Sequence, residues 1–479
     1  MKLSISFVVD DAPKFQMQAW NLLNSLKSSG NMDRPETEVF VHHTAGVSSS
    51  VLSFYESLGA RLVEIEPFGA GAAKYCNKIR QVTSGALDDA DVAVLLDADT
   101  LVLGDLGCLL ETDQIRAKVV DLPNPDLSTL NKLALAAGLD PRVLPRPVKP
   151  TFSWFRRTWP ANFNGGFYVV PRKHMDALAD AWPRWARFCF AHKDILGARL
   201  LHSDQLAFAL AQLENELPFA RLAVEWNFPT HLPRYRYLAT RRRDIKLFHY
   251  HDRFDNHGRL SAAGIPWIDQ QIAVANEMLD AERRTRFSNE IFWNWRYEKD
   301  PELGSGVGSR GAVLGYKRTL LRPFFQEFAD RPVLDVGCGD LEATRGFKFT
   351  DYLGLDSSYR ALEMARQKEP DRSFTGEPLD RIENASRALV ICLDVLIHLR
   401  SAEEYQRFVR HLVRTCSSKL IITGYETEPP NSSAGIVFFH ESILDTLSRL
   451  ERVKSMEVIG EYNNTSVVAV EIEEAAAGQ

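Results

Sequence analysis

Short apolar runs alternate with helix-like segments through the first third of the chain. Apolar runs that predict strands lie at residues 3–9, 38–42, 61–65 and 92–96. Segments with helical periodicity lie between them, at residues 14–27, 49–58 and 73–84. Because strands that alternate with helices form a mostly parallel sheet covered on both faces, this pattern predicts an α/β domain.

Prolines interrupt the pattern between residues 121 and 160. Since proline lacks a backbone N–H and fixes φ, this stretch is predicted to be irregular, with one short helix at 130–137. Strand-like runs return at 163–170, 222–226 and 245–250, and a helix rich in aromatic residues is predicted at 175–190.

A second alternating series begins after residue 330. It predicts strands at 332–335, 352–355, 388–393 and 419–423, with a helix at 405–414. The stretch at 304–311 is rich in glycine and has the composition of a flexible joint. We therefore expect two α/β domains, at 1–282 and 331–479, joined by a helical, glycine-bearing segment at 283–330.

Composition and charge narrow the classes of protein that this chain can be. Its 479 residues are 45% hydrophobic and 25% charged, which is ordinary for globular domains and excludes a mostly disordered chain. The 57 basic and 63 acidic residues give a net charge of −6. A general nucleic-acid coat needs a basic face, so we expect no nucleic-acid partner.

Three further features favour a cytoplasmic protein. The first apolar run is short and has no small-residue cleavage site after it, so it predicts a buried strand rather than a secretion signal. Apolar runs do not approach the roughly 18 residues of a membrane span, which leaves peripheral membrane contact open. The six cysteines are scattered without a CxxC pair, as expected of thiols in a reducing compartment.

A pair of carboxylates ends one of the predicted strands. Asp97 and Asp99 follow the apolar run at 92–96, with one residue between them. Ligands of open α/β sheets bind beyond the carboxyl ends of strands, and two unpaired carboxylates there require a cation. Hard divalent ions such as Mg²⁺ or Mn²⁺ accept oxygen ligands and can bridge to phosphates. The alternative is a solvated turn after the strand.

Other polar groups follow in an order that favours a binding site. They are, in chain order, Asn164, Gly165, Asp204, Gln205, His249 and His251. Taken singly, the Asn-Gly pair is a turn, the aspartate is a helix cap, and each histidine is a surface or core group. Their combination with the carboxylate pair predicts one site for a metal and a polar ligand.

With these motifs, the chain up to about residue 270 resembles a GT-A glycosyltransferase, nearest to the retaining, glycogenin-like group called family eight. The motifs that carry the resemblance are the DxD at 97–99, the Asn-Gly at 164–165, the Asp-Gln at 204–205 and the His-Tyr at 249–250. The resemblance implies a Rossmann-like GT-A fold, a UDP-sugar donor and a divalent metal, Mn²⁺ or Mg²⁺.

The resemblance also implies a role for each matched residue. The implied metal ligands are Asp97, Asp99 and His249, with His251 as an alternative to His249. The implied donor contacts are Asp10 at uracil, Arg80 or its neighbour Lys78 near the nucleotide and sugar, and Asn164 with Gly165 at the sugar. The implied residues around the anomeric centre are Asp204, which holds the sugar, and Gln205, whose weak nucleophilicity favours a positioning role.

One segment departs from the family pattern. The family follows its His-Tyr with Gly-Pro-x-Lys-Pro-Trp, whereas this chain reads His-Asp-Arg-Phe-Asp-Asn-His-Gly at 251–258. The phosphate-binding lysine is therefore missing from its expected place. Arg253 or a residue of the arginine run at 241–243 is a candidate substitute, although such a run is also typical of a solvated surface.

The second series carries a glycine motif of its own. Asp335, Gly337 and Gly339 lie where a predicted buried strand ends, and glycines there let the backbone pass close beneath a ligand. Asp356 follows 17 residues after Gly339 and can accept hydrogen bonds from ribose hydroxyls. The third glycine of a dinucleotide fingerprint is missing, because Glu342 occupies its position.

From about residue 305 to residue 475 the chain resembles a class I S-adenosylmethionine-dependent methyltransferase. The resemblance rests on the Asp-Val-Gly-Cys-Gly motif at 335–339, the acid at 356 and the strand at 388–393. It implies a Rossmann-like fold and S-adenosylmethionine as cofactor. The implied cofactor-binding residues are Asp335, Gly337, Gly339, Asp356 and Glu377.

The catalytic groups of this second domain are left with alternatives. His398 is a candidate general base for the proton of the methylated group, although a capping or packing role fits it equally well. Asp394 competes with it as a base, or as a metal ligand. The stretch at 304–311 is either a plain linker or a lid whose Arg310 pairs with the carboxylate of the donor.

The two sets of motifs predict a bifunctional enzyme, a hexosyltransferase fused to an O-methyltransferase. Fusion raises the effective concentration of the product of one site near the other, so both are expected to act on one glycan or lipid-linked glycan, as in surface polysaccharide biosynthesis. In the alternatives, the two domains act on unrelated acceptors, one domain is only a binding or assembly module, or the methyl group goes to a protein or nucleic acid.

Overall fold

The computed structural model describes residues 1–153, 155–231, 241–429 and 436–473. The chain divides into two compact units, Met1–Thr285 and Arg286–Gln479. Most of the predicted joint at 283–330 therefore lies inside the second unit.

The first unit contains two mixed sheets. Its strands are β1 (Leu3–Val9), β2 (Thr37–His43), β3 (Ala60–Glu64), β4 (Val92–Leu96), β5 (Thr100–Val102), β6 (Ile115–Val119), β7 (Phe163–Pro171), β8 (Phe219–Arg221), β9 (Phe228–Pro229) and β10 (Leu247–His249). Seven strands form one sheet in the order β3-β2-β1-β4-β7-β6-β8, and β5-β10-β9 form the other. β1 to β4 pair in parallel, whereas β7 runs antiparallel to both of its neighbours. The predicted α/β class is confirmed.

Helices cover both faces of the larger sheet. They are α1 (Pro13–Ser28), α2 (Ser49–Ser57), α3 (Arg80–Thr83), α4 (Leu127–Ala136), α5 (Arg172–Ala191), α6 (Lys193–Leu196), α7 (Ser203–Glu214) and α8 (Pro266–Thr285), with 3₁₀ segments at Gly71–Ile79, Leu106–Leu109, Gly197–His202 and Val224–Trp226. Local chemistry sets their starts. α1 begins with a proline, which the first turn of a helix tolerates. α4 begins after Asp126, whose carboxylate accepts from the N–H of Thr129.

An aromatic cluster fixes α5 and α7 against β7. Phe208 stacks on Tyr168 with the ring centroids 4.3 Å apart and meets Trp182 edge to face at 4.9 Å. The indole N–H of Trp182 also donates to the backbone carbonyl of Asp204 at 2.8 Å. Because all three rings are buried, the first turn of α7 is held firmly beside the end of β7.

Three connections carry polar residues to the carboxyl end of β4. β4 leads directly into residues 97–99, and its Leu96 pairs with Phe167 of β7. The small sheet pairs His249 with Thr100 in antiparallel register. The last residues of β4 and β10 and the first residues of the antiparallel β7 therefore converge at one edge of the sheet, where α/β proteins bind ligands.

The second unit contains one seven-stranded sheet. Its strands are β11 (Pro332–Val336), β12 (Asp351–Leu355), β13 (Ser373–Thr375), β14 (Arg387–Cys392), β15 (Cys416–Tyr425), β16 (Val453–Tyr462) and β17 (Thr465–Ile472). Its helices are α9 (Asn289–Lys299), α10 (Gly311–Glu327), α11 (Tyr359–Lys368), α12 (Ala402–Thr415) and α13 (Ile443–Ser448), with 3₁₀ segments at Val307–Ser309, Leu379–Arg381 and Leu396–His398. The strand order is β13-β12-β11-β14-β15-β17-β16, and the order reverses between β11 and β14.

Two parts of the fold differ from what the sequence predicts. The predicted strand at 222–226 is wrong, because β8 ends at Arg221 and the ring of Trp226 instead stacks on Phe167 with centroids 6.1 Å apart. The antiparallel pair β16–β17 lacks a strong signal because most of β16 is exposed. Among the helices that the structure describes, none is long and apolar enough to cross a bilayer.

His42 gives the first unit a predictable pH dependence. Burial, helped by neighbouring His43, lowers the pKa of His42 from 6.5 to about 4, and its ring nitrogens contact Ser6 and Ser84 at 3.0 and 2.9 Å. As the pH falls, the unfolded chain therefore takes up the proton first. The stabilisation is present above pH 6.5 and is lost between pH 6.5 and 4, by up to about 3 kcal/mol.

Chemical unfolding of the first unit, followed by circular dichroism between pH 7 and pH 4, measures this loss. His42→Gln cannot take up the proton, so its free energy of unfolding should fall less steeply over that range. An equally steep fall in this variant would contradict the assignment.

Candidate active sites

The first unit has a cleft of about 540 Å³ at the carboxyl end of β4. The predicted residues that line it are Asp10, Lys78, Asp97, Asp99, Asn164, Asp204, Gln205, His249 and His251. Gly165 joins them through its carbonyl oxygen, which accepts from the ammonium of Lys78 at 3.2 Å. The structure thus brings nearly all the residues predicted for this site to one place.

Lys78 links the two acidic motifs of the cleft. Its ammonium lies 2.5 Å from Asp97 Oδ1 and 3.2 Å from Asp204 Oδ2. Burial opposes the charge, but the two carboxylates outweigh it and raise the pKa of Lys78, which remains protonated. A Cβ at Gly165 would lie 2.6 Å from this ammonium, so the close approach requires glycine there.

Arg80, the alternative to Lys78, lies outside the lining of the cleft. Its Nε donates to the carbonyl of Glu66 at 3.0 Å, and its guanidinium lies 5.8 Å from the ring centroid of Phe68. The sequence predicts an ordinary helix at 73–84, but Gly71–Ile79 is a 3₁₀ segment. Because a 3₁₀ helix has 3.0 residues per turn instead of 3.6, its side chains point in different directions from those of an α-helix.

Asp99 lies between two histidines. Its carboxylate is 3.3 Å from His249 Nε2 and 3.2 Å from His251 Nδ1. One ligand atom of each of the three residues lies within 4.8 Å of the others. Burial opposes ionisation, but the two rings lower the pKa of Asp99 well below its usual value. The structure therefore brings both histidines to this carboxylate, while Asp97 is held by Lys78.

A directional chain of hydrogen bonds sets the tautomer of His249. Asp121 accepts from Asn164 Nδ2 at 2.9 Å, which turns the amide oxygen of Asn164 towards Asn227. Asn227 Nδ2 donates to that oxygen at 3.0 Å. The amide oxygen of Asn227 then faces His249 Nδ1 at 3.1 Å and accepts its proton. His249 consequently presents the lone pair of Nε2 to the carboxylate of Asp99.

This arrangement fits a divalent cation. When His249 is neutral, its lone pair and the carboxylate of Asp99, 3.3 Å apart, repel each other unless a cation lies between them. Burial lowers the pKa of His249, which favours this neutral form. His251 Nε2 is also buried and has no hydrogen-bond partner in the described part of the chain. Imidazole nitrogens and a carboxylate oxygen are suitable ligands for transition-metal ions such as Mn²⁺.

The backbone at His251 is held in an unusual conformation beside this cluster. Its φ is 51°, in the left-handed region, and its carbonyl accepts from Gln18 Nε2 at 2.7 Å. A non-glycine residue in that region stores strain, so the surrounding contacts must specify it. At the other side, a Cβ at Gly166 would lie 2.5 Å from the ring of His249. Both features keep the two imidazoles close to Asp99.

The cleft also contains residues that the sequence motifs do not indicate. They include Lys14, Lys74, Tyr75, Asp121, Leu122, Asn124, Leu201, His202 and His231. Asp121 follows β6 closely, so the rule that ligands bind beyond strand ends pointed to it. Asn227 carried no such signal, because it follows a 3₁₀ turn and acts through other side chains.

The second unit has a cavity of about 240 Å³ near the carboxyl ends of β11 and β14. The predicted residues that line it are Asp335, Gly337, Asp356, Asp394 and His398. Its position at the reversal of the strand order is where open sheets bind ligands.

The glycine turn after β11 holds Asp356 in place. Gly337 and Gly339 have φ of 71° and 53°, and a Cβ at Gly339 would lie 2.5 Å from Ser305 Oγ. The N–H groups of Gly339 and Ser358 donate to the two carboxylate oxygens of Asp356 at 2.9 and 2.8 Å. Burial nevertheless raises the pKa of Asp356 to about 6. Each oxygen keeps a second lone pair with which it can accept from a hydroxyl.

The two candidate bases of this cavity differ in their surroundings. Asp394 forms an ion pair with Lys317 and accepts from the hydroxyl of Tyr462 at 2.8 Å, so its carboxylate is already engaged. His398 Nδ1 donates to the carbonyl of Ile436 at 2.6 Å, and burial lowers the pKa of the ring. The imidazole is therefore neutral with its Nε2 lone pair free of this bond, as a general base requires.

Three predicted cofactor contacts lie outside the lining of the cavity. Gly339 is one of them, and its backbone N–H donates to Asp356. Glu377 is exposed, and its backbone N–H donates to Thr375 Oγ1 at 3.1 Å. Arg310 donates to Asp340 Oδ2 at 2.5 Å, so its guanidinium pairs with a carboxylate of the protein. The stretch that contains Arg310 still contributes Ser305 and Ser309 to the cavity wall.

Two family models match the chain. Residues 5–214 match a model described as a Rhodobacterales glycosyltransferase domain, and residues 334–419 match one described as a methyltransferase domain. The chain is therefore a glycosyltransferase domain fused to a methyltransferase domain, as the motifs predict.

A curated relative is similar to part of the chain. The ubiquinone biosynthesis O-methyltransferase of Rickettsia bellii (strain OSU 85-389) is 29% identical over 137 residues, which cover 27% of this chain and 55% of the relative. The chain thus spans about half the length of the curated relatives that it matches.

Solved structures are similar to each unit at low identity. The galactosyltransferase LgtC in complex with donor and acceptor sugar analogs is 16% identical with a TM-score of 0.38, over 59% of this chain and 99% of that one. Magnesium protoporphyrin IX methyltransferase from Synechocystis PCC 6803 with bound SAH is 18% identical with a TM-score of 0.30, over 40% of this chain and 99% of that one.

The hydrogen-bond chain predicts that Asn227 controls cation binding without touching the cation. Asn227→Ala removes the acceptor that fixes the His249 tautomer, so the affinity for Mn²⁺ should fall about 10- to 100-fold. Titration of free Mn²⁺ by electron paramagnetic resonance measures the affinity.

The matched control is Asn227→Asp, which keeps an oxygen acceptor for His249 Nδ1 and should retain much of the affinity. If both variants bind Mn²⁺ as the unaltered protein does, the hydrogen bonds through Asn227 do not control cation binding.

Proposed function

We propose that the first unit transfers a sugar from a nucleotide-diphospho-sugar, with UDP as the expected carrier, to a hydroxyl group of a glycan. The observation that carries this proposal is the cluster of Asp99, His249 and His251 in a cleft beside Lys78. These three residues would hold a divalent cation, Mn²⁺ or Mg²⁺. When bound, the cation would supply positive charge that neutralises the departing diphosphate.

The other residues of the cleft then bind and orient the donor. Asp10, whose carboxylate accepts from the N–H of Ala12 at 3.0 Å, would contact the base of the nucleotide. Asn164 and Asp204 offer oxygens and an amide to sugar hydroxyls, and Lys78 keeps Asp204 in position. Gln205 lines the cleft with a neutral amide, which suits a positioning role at the anomeric carbon and departure of the diphosphate before attack from the same face.

We further propose that the second unit methylates a hydroxyl group. Asp356 would accept from the ribose hydroxyls of S-adenosylmethionine, and the turn from Gly337 to Gly339 would pass beneath the donor. S-adenosylmethionine, when bound, would supply an electrophilic methyl group. His398 would accept the hydroxyl proton at Nε2, because its Nδ1 proton is held by the carbonyl of Ile436.

The simplest relation between the two reactions is one shared glycan, to which one unit adds a sugar and the other a methyl group. A cytoplasmic step of surface polysaccharide biosynthesis, with a free or lipid-linked glycan as acceptor, fits this scheme. Most of the polar residues predicted for each unit line its cavity. This supports two active domains over a scheme in which one domain only binds or assembles.

Reciprocal variants test the assignment of one reaction to each unit. Asp99→Asn weakens the cation cluster and should lower metal-dependent sugar transfer by about 100-fold or more, while methyl transfer stays intact. Asp356→Ala removes the ribose acceptor and should abolish binding of S-adenosylmethionine, while sugar transfer stays intact. Both transfers are measured by mass spectrometry of acceptors that are offered UDP-sugars and S-adenosylmethionine, together and separately.

In each variant, the activity that stays intact is the internal control for the activity that is lost. Full sugar transfer by Asp99→Asn would refute the cation cluster, and full donor binding by Asp356→Ala would refute the ribose contact. Methyl incorporation that ignores whether the acceptor has received the sugar would refute the shared glycan and leave the two separate activities standing.

A further inference from the structure

A loop of the proline-rich excursion concentrates positive charge. The described residues of this segment, 142–153 and 155–157, are named the basic loop. Its basic residues are Arg142, Arg146, Lys149, Arg156 and Arg157, all exposed, and its sequence contains no acidic residue. Arg142 forms an ion pair with Asp140, which directly precedes the loop, at 2.6 Å. An antiparallel bridge between Val148 and Thr158 closes the second half of the loop. A chain with a net charge of −6 thus carries a strongly basic patch at one place.

The same loop exposes apolar side chains. Phe155 is 97% exposed and Val143 is 79% exposed, and no other large hydrophobic side chain that the structure describes is more exposed than these two. Single exposed apolar residues are common on protein surfaces. A fully exposed phenylalanine directly before two exposed arginines is a different pattern, since it joins an apolar group to cations.

The basic loop is anchored to the wall of the sugar-transfer cleft. The N–H of Phe152 donates to the carbonyl of Asp121 at 2.8 Å, and the N–H of Thr151 donates to the carbonyl of Val120 at 2.9 Å. Val120 and Asp121 both line the cleft. Exposed apolar side chains also occur in the cleft lining, at Tyr75, Leu122 and Leu201.

We propose that the basic loop docks the first unit on an anionic lipid surface. Phe155 and Val143 enter the interface between headgroups and acyl chains, and the arginines bind the phosphates of the headgroups. A soluble polyanion would use the arginines but would leave both apolar side chains in water. A single-stranded nucleic acid could stack a base on Phe155 but would leave Val143 in water. The observations therefore favour a membrane surface.

Docking through this loop brings the cleft to a lipid-linked acceptor, because the loop and the cleft share one wall. The docking itself requires no sugar transfer. Its failure and the failure of the proposed function are therefore distinguishable.

Vesicle sedimentation of the full chain tests the proposal. Vesicles of phosphatidylcholine with phosphatidylglycerol should carry the protein down, vesicles of phosphatidylcholine alone should not, and added salt should weaken the binding. Phe155→Ser and the double variant Arg156→Gln/Arg157→Gln should each reduce binding about tenfold. The matched control Arg61→Gln/Lys193→Gln removes two exposed charges elsewhere in the first unit and should bind as the unaltered chain does.

Mn²⁺ binding, measured in parallel, should be unchanged in the loop variants and shows that the unit is folded. The proposal is overturned if the unaltered chain ignores anionic vesicles, if the loop variants bind as well as the control, or if Phe155→Ser binds normally. Loss of binding to a single-stranded oligonucleotide in the arginine variant, without any vesicle binding, would assign the loop to a polyanion instead.

Discussion

The first unit depends on one contact, in which a histidine lone pair meets a carboxylate. Asp121 can only accept hydrogen bonds, and this fixes the direction of each amide from Asn164 to Asn227. The chain ends at His249, which must then offer Nε2 to Asp99. Two acceptors at that distance repel each other, so the hydrogen bonds of the protein favour a cation between them.

In the second unit, backbone N–H groups hold the carboxylate of the cavity. The proposed ribose contact needs an ionised carboxylate, although burial raises the pKa of Asp356 to about 6. Two backbone N–H groups oppose this effect, and one of them belongs to Gly339, whose left-handed φ turns its N–H towards the carboxylate. In both units a glycine lets polar groups lie closer than a side chain would allow, at Gly165 beside Lys78 and at Gly339 beside Ser305.

The strand and helix pattern predicted much of the fold, because buried parallel strands leave unbroken apolar runs. The motif residues at strand ends were also predictable, since sheet topology brings those ends together. Lys78 could not be separated from Arg80, because the choice depends on 3₁₀ winding. Asn227 could not be found at all, because it acts through His249. The pairing of Arg310 with Asp340 is a tertiary contact that motif spacing does not encode.

The central claim is that one chain holds two different donors in two separate cavities. Isothermal titration of the full chain with UDP in the presence of Mn²⁺, and then with S-adenosylhomocysteine, measures this directly. The account predicts one equivalent of each ligand, with UDP binding weakened when Mn²⁺ is removed and S-adenosylhomocysteine binding unaffected by the metal. Failure of either ligand to bind, or displacement of one by the other, would contradict it.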